Sequence, residues 1–157
     1  MQKGMVITME NNKAKTEELL CEMYRNLKMG MDNLCSVTPK IDDKFMLREV
    51  TGQLSRYAGY CERCESLMLR MSVDPKKPSA MKRAMARGGI IANTLVDSSD
   101  KHIAQMIARG TAMGADTLER TMRSCRRQGC SEEAAALCSG VIDCQRESAG
   151  RMTDNTV

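Results

Sequence analysis

The stretch LREVTGQLSRYAGYCERCESLMLRM, residues 47–71, decides the fold. Leu47, Val50, Leu54, Tyr57, Cys61, Cys64, Met68 and Met71 recur at alternating spacings of three and four. Every one of them is apolar or a thiol, so a helix with this pattern buries one stripe against other helices. The same stripe carries the Cys-x-x-Cys pair, Cys61 and Cys64, which is therefore expected inside a core.

Outward from that helix the chain reads as more helix. It has 157 residues, 42% of them hydrophobic, with 15 Met, one Phe, three Tyr and no Trp. That length suits one domain with a sizeable core. Met is well accepted in helices, whereas the aromatic residues that favour strands are scarce. The spacing predicts an exposed tail over residues 1–12 and a first helix from about Ala14 to Val37. Its stripe is Leu20, Tyr24, Leu27, Met31 and Leu34. Thr38-Pro39 ends it and opens the second helix, with Thr38 as N-cap and Pro39 at the first helical position. That helix continues to about Val73, where Asp74-Pro75 and Pro78 interrupt it.

A shorter helix is expected at about 79–97, weakened by Gly88-Gly89. Ser98, Ser99 and Asp100 offer caps for a helix over about 101–128, whose wide face holds Ile103, Ile107, Gly110, Gly114, Leu118 and Cys125. The small residues at its centre imply tight helix contact. Gly129 suits the position after a helix end, and Ser131 caps a last helix with Glu132 and Glu133 in its first turn. Ala134, Leu137, Val141, Cys144 and Ser148 mark its buried stripe. The domain thus spans residues 13–152, with a second tail at 153–157. The deepest core is expected at Val50, Leu54, Tyr57, Cys61 and Met68, joined by Leu27, Met31, Ile107, Gly114 and Val141. Arg56 and Arg63 are expected to face solvent.

Four substantial helices with a long helical connection between the second and third imply an all-α, antiparallel four-helix bundle whose crossover runs the length of the bundle. This pattern resembles the ferritin-like superfamily over about residues 14–152, and within it a small bacterial branch in which a short helix forms the crossover. The resemblance rests on topology. Di-iron members need Glu-x-x-His motifs, whereas the single histidine here, His102, follows Ser99 at that spacing. Iron chemistry is therefore not expected, and His102 reads as a surface residue in a first turn.

The net charge of +4 is mild and dispersed. Arg120, Arg123, Arg126 and Arg127 gather where a helix C-terminus welcomes cations, and stacking aromatics are too few for single-stranded nucleic acid. No stretch is long enough to span a membrane. Met5–Met9 is far shorter than the apolar segment of a secretory leader. The expected compartment is cytoplasmic, where all eight cysteines would stay as free thiols.

Two function classes follow. The first is a non-enzymatic bundle with a structural or protein-interaction role, without cofactor or metal, whose partner is a second copy or another protein. Neither nucleic acid nor a membrane is expected as partner. The alternative is a thiol bundle that binds Cu(I) or Zn(II) through Cys61 and Cys64, completed by Cys21, Cys125 or Cys138. A full-length crossover puts those thiols in one half of the bundle, similar in outline to thiol-lined bundles that store Cu(I).

Overall fold

The computed structural model describes residues 2–75 and 97–154, and among these every regular element is helical. They are α1 (Gln2–Val37), α2 (Lys44–Arg70), α3 (Asp100–Arg127) and α4 (Glu132–Asp154), with a 3-10 turn at Thr38–Lys40. The helix expected at 79–97 lies almost wholly outside the described residues.

Pairs of side chains fix the directions. Cys64 Sγ donates to the Leu20 carbonyl, and Tyr57 packs against Gly30, so α2 runs antiparallel to α1. Asn26 Nδ2 donates to the Gly114 carbonyl, while Cys125 Sγ lies 3.5 Å from the Lys15 carbonyl; α3 is therefore antiparallel to α1 as well. Arg70 pairs with Glu133 at one end of α2 and Glu49 with Arg151 at the other, which sets α4 antiparallel to α2. The helices thus run up, down, down, up. α2 finishes near Cys21, whose thiol faces the Asp74 carbonyl. α3 begins at the opposite end, where the Asp100 carboxylate accepts the N–H groups of Asp42 and Asp43. The chain between them joins the two ends of an all-α four-helix bundle.

Local chemistry explains the boundaries. α1 starts at Gln2, so the expected tail continues the first helix, although Met5, Val6, Ile7 and Met9 are exposed. Thr38 is not the cap of α2. Its hydroxyl donates back to the Leu34 carbonyl, and Asp43 takes the cap by accepting from Met46 N–H at 2.7 Å. α2 stops at Arg70 because Ser72 adopts φ 57° and Val73 N–H returns to the Met68 carbonyl. Ser99 and Ser131 accept from His102 N–H and Ala134 N–H, as their positions predict, and Gly129 holds φ 74° after α3.

The core contains Leu19, Leu20, Met23, Leu27, Val50, Tyr57, Cys61, Cys64, Met68, Ile103, Leu118 and Val141. Three expected core residues are only partly buried: Leu54, Met31 and Gly114. On α2 the seam position next to Val50 belongs to Gln53, which is 1% exposed, and Leu54 sits on its flank. Arg63 is exposed beside the Tyr60 ring, as expected. Arg56 is not on the solvent side; it is half-buried and donates to Ser148 Oγ at 3.3 Å.

Candidate functional site

A groove of about 660 Å³ opens between α1 and α3. Two glycines of α3 line it, in different ways. Nothing lies within 4 Å of a Cβ placed on Gly110, so this glycine leaves space where tight helix contact was expected. A Cβ on Gly114 would instead meet the Asn26 amide at 3.2 Å and Gln145 Nε2 at 3.4 Å. Ala104, Ala108 and Ala115 of α3 are buried in the bundle. The groove walls carry Met29, Met106, Ile107 and Met113. Methionine adapts its shape to what it touches, and Met113 is 64% exposed at the opening.

The floor is polar and uncharged. Asn26 of α1, Gln53 and Tyr57 of α2, Thr111 of α3 and Gln145 of α4 meet there. Asn26 Nδ2 donates to the Gly114 carbonyl at 3.0 Å, and Gln145 Nε2 donates to Asn26 Oδ1 at 2.7 Å. Gln53 Nε2 donates to the Tyr57 hydroxyl at 3.0 Å and to Thr111 Oγ1 at 3.1 Å. Two atoms are left over. The carbonyl oxygens Gln53 Oε1 and Gln145 Oε1 are buried without a hydrogen-bond partner. Such groups cost about 1–3 kcal/mol each when desolvated and unpaired. A polar floor with unused acceptors under apolar walls is the pattern of a binding site.

The floor groups can hold a molecule but are poorly suited to moving protons near neutral pH. Burial pushes the Tyr57 phenol above its ordinary value, partly offset by the hydrogen bond from Gln53 and by the neighbouring polar groups of Gln145 and Thr111. At the mouth, Arg25 and Glu22 pair with each other at 3.3 Å.

The thiols lie elsewhere. Cys61, Cys64, Cys21 and Cys138 are buried in one half of the bundle, the half expected for them. Each faces its own neighbour: Cys61 the Met31 sulfur at 4.0 Å, Cys64 the Leu20 carbonyl at 3.5 Å, Cys21 the Asp74 carbonyl and Cys138 the Leu118 carbonyl. Among the described residues no three His, Cys, Asp or Glu side chains come together so as to hold a metal ion. Cys125 is not a free thiol. It is bonded to Cys130 across the turn at Gly129, where the Cα atoms are 5.3 Å apart. The expectation of eight free thiols is thereby corrected: a turn of this size brings residues five apart within disulfide range. His102 is half-buried with Nε2 unpartnered, rather than a plain surface residue. The arginines near Gly129 are largely solvated. Arg123 and Arg126 pair with Glu119 and Glu132, and Arg126 and Arg127 occupy the last turn of α3.

Burial pushes the Cys64 and Cys138 thiols from an ordinary value near 9 up to about 12, and neighbouring thiols add to the shift at Cys64. A thiol is neutral when protonated, so the unfolded chain loses these protons above pH ~9 while the folded chain keeps them. Stability contributed below pH ~9 is then lost as pH climbs toward 12, by at most ~1.4 kcal/mol per pH unit per thiol. Urea midpoints should fall between pH 8.5 and 10.5, and the slope should flatten in the Cys64→Ala/Cys138→Ala variant. An unchanged slope would refute this burial. At neutral pH a thiol reagent should label Cys35 quickly, because it is the exposed one of the six free cysteines.

The site belongs to an all-α four-helix bundle with a polar-floored groove. Comparison with protein-family models and with curated protein sequences finds no match. Among the described residues no helix is long and apolar enough to cross a membrane.

Sequence reasoning missed the groove. The signals were present: Gly110 and Gly114 four apart on α3, and the polar Gln53 at a seam spacing three after Val50 and four before Tyr57.

Proposed function

We propose that this chain is a non-enzymatic helical bundle of ferritin-like path whose role is to bind, with the groove between α1 and α3 as its working surface. One observation carries the reading: the fully buried Gln53 and Gln145 line the groove, each with an unpaired carbonyl oxygen. The parallel α2 and α3 support the ferritin-like resemblance, and the absence of any Glu-x-x-His from the sequence supports a scaffold without its di-iron centre. Exposed Met5, Val6, Ile7 and Met9 on α1 support a structural role through self-association or a protein partner.

Gly110→Leu tests the groove. Its side chain enters open space, and leaving glycine in a helix interior is worth about 1 kcal/mol in propensity. The variant should fold at least as well as the parent and lose groove binding. Amide spectra of the parent, titrated with a diverse set of small fragments, should shift at Gly110, Thr111 and Gly114; Gly110→Leu should abolish those shifts. Scattered shifts, or none at the groove, would sink the reading.

The second reading is a Cu(I) or Zn(II) site at Cys61 and Cys64. It is favoured by the burial of Cys21, Cys61, Cys64 and Cys138 in the same core, where the other three each act electrostatically on the Cys64 thiol. It requires these side chains to turn toward a common point, and Cys125 could join only after reduction. Metal analysis of protein purified without oxygen decides it, since stoichiometric copper or zinc would establish it and none after a metal challenge would retire it.

A further inference from the structure

The polar floor dictates more than the presence of a ligand; it selects a chemistry. The Gly114 backbone carbonyl can only accept, so the Asn26 side chain must present its NH₂ there and its oxygen toward α4. That oxygen in turn requires the NH₂ of Gln145, 2.7 Å away. Gln145 is left with one orientation, its carbonyl turned away from Asn26 and without a donor. Gln53 is not held in this way, because a phenol and a hydroxyl can each donate or accept. Gln145 Oε1 is therefore a committed acceptor, and the Gln53 amide beside it can adapt.

No charged side chain belongs to the floor, and at the mouth Glu22 and Arg25 pair with each other at 3.3 Å. A cation seated on the floor would lose its hydration while the nearest carboxylate, Glu22, stays paired with Arg25 at the mouth, which disfavours it. An anion would face the Gln145 carbonyl. The walls ask for an apolar body, and the volume of about 660 Å³ suits a small molecule.

Resting on the groove as the binding surface, we infer that its ligand is an uncharged small molecule that presents N–H or O–H donors from an apolar body, with Gln145 Oε1 receiving the donor. Amides, ureas and alcohols with a hydrocarbon portion belong to this class. Gln145 binds and does not react.

Two probes that share a carbonyl and a hexyl chain separate donor recognition from simple apolar filling, the bulkier and more apolar one being the one without donors. Hexylurea carries N–H donors; its fully N-methylated analogue keeps the carbonyl and the hexyl chain and has none. Titrations followed by amide spectra of the full chain should give hexylurea a Kd about tenfold lower, the value of pairing one buried acceptor. Gln145→Met keeps the length and apolar volume of the side chain and removes the acceptor. It should reduce that preference to less than about threefold while leaving the methylated probe's Kd unchanged. Equal Kd values in the parent would overturn the inference while leaving the groove as a binding surface. Absence of saturable shifts at Gly110 and Gly114 with either probe would overturn both. If Gln145→Met does not fold, the comparison of the two probes on the parent decides alone.

Discussion

Replacing Tyr57 with Ala should lower the unfolding free energy by about 3–5 kcal/mol, the range for deleting a large buried aromatic side chain. The ring is 2% exposed and lies against Gly30, close enough that a Cβ there would stand 2.7 Å from Cε2. Few rearrangements could fill the space it leaves, because the opposing surface is helix backbone. Its hydroxyl also accepts from Gln53 Nε2, so the truncation removes one of the two partners of a buried amide. Tyr57→Phe separates the two contributions. It keeps the ring and removes the hydrogen bond, for an expected loss of about 1–2 kcal/mol. Urea denaturation of the two variants at one pH measures both. Equal losses would mean that the hydrogen bond carries the effect; a loss below about 1 kcal/mol for Tyr57→Ala would show that the ring is not packed as described.

The second large effect contrasts two leucines of similar appearance in the sequence. Leu27 is fully buried on α1, and Leu27→Ala should cost about 2–5 kcal/mol. Leu54 is partly buried at the edge of the core, so Leu54→Ala should cost clearly less, about 1–1.5 kcal/mol. Measured side by side, the ordering matters more than either value. If Leu54→Ala proved the more damaging, the heptad seam would run through Leu54 and Gln53 would have to leave the core, taking the polar floor with it.

Of that pair, Leu27 shows where reading the chain succeeded and Leu54 where it did not. The existence, order and direction of the four long helices were legible because they rest on local periodicity and on punctuation. The repeat over 47–71 demanded a helix with one buried stripe. Ser99, Gly129 and Ser131 set ends through hydrogen bonds and backbone angles confined to a few residues. Even Thr38-Pro39 was a correct stop, although the cap passed to Asp43 because the Thr38 hydroxyl found the Leu34 carbonyl first.

What lies between the helices obeyed a different logic. An alternating three-four repeat admits either Gln53 or Leu54 near one seam position, and hydropathy favours the leucine. The choice went to Gln53 because Tyr57 and Thr111 offered hydrogen bonds inside the core, and Thr111 comes from a helix 58 residues away. A glycine pair on α3 reads as close contact, which holds at Gly114, where the Asn26 amide of α1 comes in, but not at Gly110, which borders space. The difference depends on what α1 places opposite each one. The Cys125–Cys130 bond depended likewise on the turn that Gly129 makes possible. The sequence by itself determined the helices, their stripes and their stops, since these are set by neighbours within a turn or two. Only the tertiary structure decided which polar residues are buried, which glycines leave a gap and which carbonyls go unpaired, because each of those outcomes needs two or more helices to meet.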